Sequence, residues 1–116
     1  MARLGRMIVV TVALAVGVAT ASGAALAQAW PSRPVTMIVP FPAGGPADAL
    51  ARVVAQELSA KLGQQFVVEN RAGAGGNIGG AAAAKADPDG YTIMFSTPGP
   101  AAINKLMYAN AGYDPE

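Results

Sequence analysis

Short apolar runs alternate with longer stretches of helical period from Pro31 onward, and each change of period marks an element. Val35 to Val39 (VTMIV) is a β-branched run bounded by prolines, which predicts a first strand. Pro46 to Leu62 carries Leu50, Val53, Val54, Leu58 and Leu62 at helical spacing, so it predicts an amphipathic helix with these residues as its apolar face, closed by Gly63. Phe66 to Glu69 predicts a second strand, Asn70 to Gly76 a glycine-rich loop, and Ile78 to Ala86 an alanine-rich helix with a narrow face. The turn Asp87-Pro88-Asp89-Gly90 stops that helix. A third strand follows over Tyr91 to Phe95, then an exit loop over Ser96 to Gly99 and a short helix over Ala101 to Tyr108.

Alternating β and α elements imply an α/β fold whose strands run parallel, joined by right-handed crossovers and covered on both faces. The doubly wound order 2-1-3 would make strands 1 and 3 neighbours while sending their following helices to opposite faces. A switch point results, with a crevice at the carboxyl ends of the strands. The loops after strands 1 and 3 border it, so function is sought there.

The first 27 residues change the picture, because they read as an address. Arg3 and Arg6 form a basic start, Met7 to Val18 is an apolar run, and Ala25-Leu26-Ala27 supplies a small-x-small cleavage pattern. Ala27-Gln28-Ala29 is a second such pattern, so the mature chain is expected to begin at Gln28 or Trp30. A membrane anchor is the alternative, but the unbroken apolar stretch is short of the roughly 20 residues that a spanning helix needs. This leader and the alanines inflate the hydrophobic fraction of 53%.

Charge and composition then exclude several classes of function. A net charge of +1 with 13% charged residues leaves no basic stripe, because the cations are scattered, so no nucleic-acid partner is expected. The chain has no cysteine and no histidine. Thiolate nucleophiles, disulfides and the commonest metal ligand and general base are thereby removed, and neither catalytic residues nor a metal site nor a cofactor is expected.

What remains is a loop chemistry suited to anions. Pro40 and Pro42 stiffen the exit from strand 1, and Gly44 and Gly45 let the backbone turn through positive φ with exposed N–H groups. These face the mouth of the next helix, where free first-turn donors and the dipole favour negative charge. A backbone cradle for a carboxylate and a tight turn that merely needs glycine both fit Ala43, Gly44 and Gly45. Asp48, in the first turn, reads first as a helix-start carboxylate; the alternative is that it orients the loop or accepts from a ligand amine or hydroxyl. It cannot pair with a carboxylate. Glu69 and Asn70 beside Arg71 read as a local charge pair. The run Gly73 to Gly79 fits a GxGxxxG spacing, but Asn70, Arg71 and Ala72 separate it from the strand, the stricter GxGxxG fails at Ile78, and no acid ends the next strand. A dinucleotide enzyme is therefore set aside. The glycines permit a close loop, with Asn77 as a helix N-cap.

Four ordered motifs carry a resemblance over nearly all of the chain from Trp30: PFPAGGPAD, VVENRAGAGGNIG at Val67 to Gly79, ADPDGYTIMFST at Ala86 to Thr97, and AINKLMY at Ala102 to Tyr108. Together they resemble the Bug family, extracytoplasmic solute receptors of tripartite tricarboxylate transporters. The resemblance implies part of a type II periplasmic-binding-protein-like lobe with a parallel doubly wound sheet. It implies a periplasmic location, a small di- or tricarboxylate or amino acid as ligand, and permease subunits as partners. Binding without catalysis follows from it. Carried over residue by residue, it nominates Ala43, Gly44 and Gly45 on one side of the ligand carboxylate and Ser96, Thr97 and Gly99 on the other, with Asn77 beside the cleft. Pro98 departs from a donor-rich loop, since it has no N–H. The family's second lobe has no counterpart here, so residues 28–116 are expected to be the truncated amino-terminal part of lobe 1.

Overall fold

A computed structural model describes residues 29–115. The expected leader over residues 1–27 lies outside them. Three strands, β1 (Val35–Val39), β2 (Phe66–Asn70) and β3 (Thr92–Met94), form a parallel sheet in the order β2-β1-β3. The parallel sheet is as the alternation of elements implies, and its order is the 2-1-3 of doubly wound folds. Val35 pairs with Phe66 and Val39 with Asn70 on one side of β1, while Thr36 pairs with Thr92 and Ile38 with Met94 on the other. The second strand is one residue longer than expected and the third is shorter. Its ladder is nevertheless continued at both ends, because Thr36 N–H donates to the Tyr91 carbonyl at 2.8 Å and Phe95 N–H to the Ile38 carbonyl at 2.9 Å.

β1 is central, and Thr36 alone interrupts its buried apolar run, as a strand covered on both faces requires. Alternation sends Val35, Met37 and Val39 to one face and Thr36 and Ile38 to the other. The first set packs with Phe66 of β2 and with Ala51 and Ala55 of helix α1 (Pro46–Leu62). On the opposite face Met94, partner of Ile38, shares a cavity wall with Gly80, Ala83 and Ala84 of helix α2 (Asn77–Ala84). α1 and α2 therefore cover opposite faces.

The expected apolar face of α1 is corrected by this packing. Ala51 and Ala55 are buried and Leu58 is partly so, whereas Leu50, Val53, Val54 and Leu62 are exposed. Small side chains bring the helix axis close to the sheet, and at about 100° per residue the larger ones turn outward. Gly63 ends the helix as expected, in the left-handed region at φ 71°. Ser59 then ties the helix to the sheet: its hydroxyl donates to the Ala55 carbonyl at 2.6 Å and accepts from Phe66 N–H at 2.8 Å.

The glycine-rich link after β2 forms one 3₁₀ turn, Ala74–Gly76, and leads directly into α2. Asn77 is not the N-cap; Gly76 takes that position and Asn77 is the first helical residue. Gly79 is required by close approach, because a Cβ there would lie 2.8 Å from both Pro40 Cα and the Arg71 carbonyl oxygen. The final helix also differs from its expected span. A π-helical turn, Gly99–Ile103, precedes the short α3 (Asn104–Met107), with Asn104 N–H reaching back to the Gly99 carbonyl. Ahead of β1, Trp30 packs edge-on to Phe66 with ring centroids 6.4 Å apart, and Ser32 N–H donates to the Tyr91 hydroxyl at 3.0 Å. Among the described residues no helix is long and apolar enough to cross a membrane.

Candidate functional site

Beyond β1 the chain leaves the sheet at Pro40, which is fully buried, and turns over Phe41 to Gly45 into the mouth of α1. Gly44 makes the turn at φ 81°, a conformation that favours glycine. Gly45 does not share it: at φ −80° and ψ 171° it is extended, so the expectation of positive φ holds for Gly44 alone. Pro46 opens the helix, where its missing N–H costs nothing. Ala49 N–H donates to the Gly45 carbonyl at 3.0 Å, while the N–H groups of Ala47 and Asp48 have no acceptor among the described residues. These are the free first-turn donors of a helix.

Asp48 is buried and shapes this loop. Its Oδ2 accepts from Gly44 N–H at 2.8 Å and from Arg52 Nε at 3.0 Å, and its Oδ1 accepts from Asn70 Nδ2 at 3.0 Å. The Arg52 guanidinium, followed by the Gly44 and Asn70 donors, lowers the carboxyl pKa to about 2. Asp48 is therefore an anion at neutral pH, held in the loop's own hydrogen bonds. One consequence bears on the cradle: the Gly44 N–H, nominated as a ligand donor, is already engaged by Asp48.

A cavity of about 300 Å³ lies between this loop and the one after β3, lined by Phe41, Pro42, Gly45, Pro46, Ala47 and Thr97. It sits at the switch point, as the strand order requires. Of the nominated residues it brings together Gly45 and Thr97. Ala43 and Gly44 are exposed on the adjoining loop, and Ser96, whose hydroxyl donates to the Thr97 carbonyl at 3.2 Å, and Gly99 flank Thr97. Asn77 is placed elsewhere. It is buried, its Oδ1 accepts from Asn104 Nδ2 at 2.6 Å, and the cavity it lines is shared with Tyr108 and Asn110. Asn104 also donates to the Gly75 carbonyl at 3.0 Å, so this amide pair fastens α3 to the glycine link.

Among the described residues, none that lines the switch-point cavity has an ionisable side chain. The walls are almost wholly apolar, and the Ala47 and Thr97 that line them stand at the helix start and on the loop after β3. Such walls suit the carbon skeleton of a small molecule, and the free N–H groups of Ala47 and Asp48 begin the helix beside them. Sequence reasoning missed the walls supplied by Phe41, Pro42, Pro46 and Ala47, although all four lie inside PFPAGGPAD. It also missed Asn70 and Arg52. Glu69 and Arg71 do form the expected surface pair, at 2.7 Å, but Asn70 points away from it to the loop ahead of α1.

A model of the tripartite tricarboxylate transporter family receptor matches residues 50–116. The chain belongs to this family. Its fold agrees with those of solved relatives: the periplasmic binding protein BugD is 46% identical with a TM-score of 0.62, over 74% of this chain and 28% of that one. A protein of R. palustris solved with adipate is 51% identical with a TM-score of 0.70, over 74% of this chain and 29% of its own. MatC of Rhodopseudomonas palustris, solved with bound malate, is 37% identical with a TM-score of 0.69, again over 74% and 29%. The α/β architecture with its parallel sheet is thus that of a part of a periplasmic binding protein. The chain spans about a quarter of the length of the curated relatives it matches.

Proposed function

We propose that this receptor-family chain supplies one wall of a binding site for a small organic carboxylate, captured outside the cytoplasm and passed to the permease subunits of a tripartite transporter. The observation that carries the reading is the switch-point cavity, where Gly45 and Ala47 at the mouth of α1 meet Thr97 from the loop after β3. Free N–H groups at a helix start favour a carboxylate, the Thr97 hydroxyl adds a donor, and the walls of Phe41, Pro42 and Pro46 accept a carbon chain. Adipate and malate in the solved relatives belong to this class of molecule. The ligand is bound and released without chemical change.

Titration calorimetry on the protein expressed from its complete gene tests this, with adipate, malate, a tricarboxylate and the corresponding amides. Saturable binding of acids is expected. Amidation should weaken it by about 1.5–3 kcal/mol, the usual worth of hydrogen bonds to a charged group. Thr97→Val should weaken it by about 0.5–1.5 kcal/mol, the net value of a neutral hydrogen bond. Equal affinity for acids and amides, or no binding of either, would overturn the reading.

A further inference from the structure

Two hydrogen atoms of a single side-chain amide determine where the loop at the site can lie. Asn70, the last residue of β2, donates from Nδ2 to the Phe41 carbonyl at 3.1 Å and to Asp48 Oδ1 at 3.0 Å, and its Oδ1 accepts from Arg52 Nη2 at 3.3 Å. The amide has one workable orientation. Turned over, its oxygen would face a carbonyl and a carboxylate, and its NH₂ a guanidinium. Asp48, fixed on this side by Asn70, holds the Gly44 N–H on the other at 2.8 Å. The loop is therefore pinned at Phe41 and at Gly44, and the cavity residues Phe41, Pro42 and Gly45 include or adjoin those two pins.

We infer that Asn70 is a positioning residue for the ligand site: reaching across from β2, it sets the shape of the Phe41 to Gly45 loop through the Phe41 carbonyl and the Asp48 carboxylate. The inference rests on the carboxylate site described above and deepens it. Asn70 does not touch the cavity. It acts through Phe41 and Asp48, and a site held by short hydrogen bonds is sensitive to displacements well under 1 Å.

Replacement by aspartate separates positioning from bulk structure, because the shape is kept while two donors are lost. The charged groups facing position 70 are Asp48 and Arg52 from α1; the adjacent Glu69 and Arg71 pair with each other, and the loop from Phe41 to Gly45 carries no ionisable side chain. In Asn70→Asp a second carboxylate lies beside Asp48, and two such groups in contact favour retaining one proton. Binding of adipate and malate should therefore fall about ten-fold or more at pH 8 and recover in part at pH 5, where one carboxylic O–H again donates to Asp48 while the Phe41 carbonyl stays without its donor. Asn70→Ala should be weak at both pH values. Glu69→Gln, which breaks only the neighbouring pair, should stay within about two-fold of wild type.

These measurements are made by calorimetry on the protein expressed from its complete gene, with amide hydrogen exchange at Gly44 compared at a single pH. Faster exchange at Gly44 in Asn70→Asp is expected. Wild-type affinity of Asn70→Asp at pH 8, or a lowered melting temperature with unchanged affinity, would overturn the inference. If Asn70→Ala does not fold, Asn70→Asp at pH 8 decides: about ten-fold weakening with faster Gly44 exchange supports the inference, and wild-type affinity overturns it. Should wild type bind no carboxylate, the functional reading fails by itself. Equal Gly44 exchange in wild type and Asn70→Asp would then reject the positioning role separately.

Discussion

A carboxylate in the first turn of a helix ordinarily serves that helix's own free N–H groups, yet Asp48 directs its oxygens to Gly44, Arg52 and Asn70. Its contribution to stability has a defined pH window. The folded pKa is lowered to about 2 from the ordinary 3.8, so the unfolded chain takes up the proton first. The stabilisation is complete above the unfolded value and is lost as pH falls through the folded one. Urea unfolding of wild type and Asp48→Asn should show a constant gap from pH 8 to pH 5 that closes between about pH 4 and pH 2. A gap that widens on acidification would contradict this account. The sequence favoured a helix-start carboxylate for Asp48 and held loop orientation only as the alternative, which is the one its hydrogen bonds match. The role of Asn70 was not legible, because its partners lie 29 and 22 positions away and only the pairing of β2 with β1 brings them together.

At the scale of elements, the change of hydrophobic period located the three strands and the two crossover helices, and their alternation implied a parallel sheet, while the order 2-1-3 was one arrangement compatible with it. The buried side of α1 was misread for a physical reason. Spacing ranks leucine and valine above alanine, but a helix lying flat on a sheet is closest where its side chains are smallest, and Ala51 and Ala55 occupy that line. The two sides make opposite forecasts for substitution. Ala51 is fully buried, so Ala51→Leu should overpack the contact with Met37 and Val39 and cost about 1–3 kcal/mol. Leu50 is 61% exposed, so Leu50→Ala should change stability by no more than about 0.5 kcal/mol. Denaturant midpoints of the two variants check this. A larger loss for Leu50→Ala would restore the face read from the sequence. The π-helical turn at Gly99 was invisible for a related reason: Pro98 and Pro100 remove backbone donors, and no side-chain period reports which carbonyl the next free N–H selects.

For the whole molecule, the join between the leader and the folded part is where sequence and structure make one joint forecast. We propose that Arg3, Arg6, the apolar run and Ala25-Leu26-Ala27 act as an export signal, with the two small-x-small patterns permitting cleavage after Ala27 or after Ala29. Either cut leaves Trp30 in the mature chain. The fold uses that residue: its ring stands edge-on to Phe66 at 6.4 Å and 6.3 Å from Tyr91, while Ser32 and Arg33 bind the Tyr91 hydroxyl and ring face. Cleavage a few residues later would remove Trp30 from Phe66 and Tyr91, at the amino ends of β2 and β3, and leave those rings more open to water. A bacterial host should therefore release a periplasmic product beginning at Gln28 or Trp30, and mass spectrometry of its amino terminus is the measurement. A version engineered to begin at Pro34 should unfold at lower denaturant, since it lacks Trp30, Ser32 and the Arg33 pair with Asp89 at 2.7 Å. An intact Met1 form held in the membrane would overturn the export reading, and equal stability of the Pro34 form would show that the Trp30 contact carries no weight in the fold.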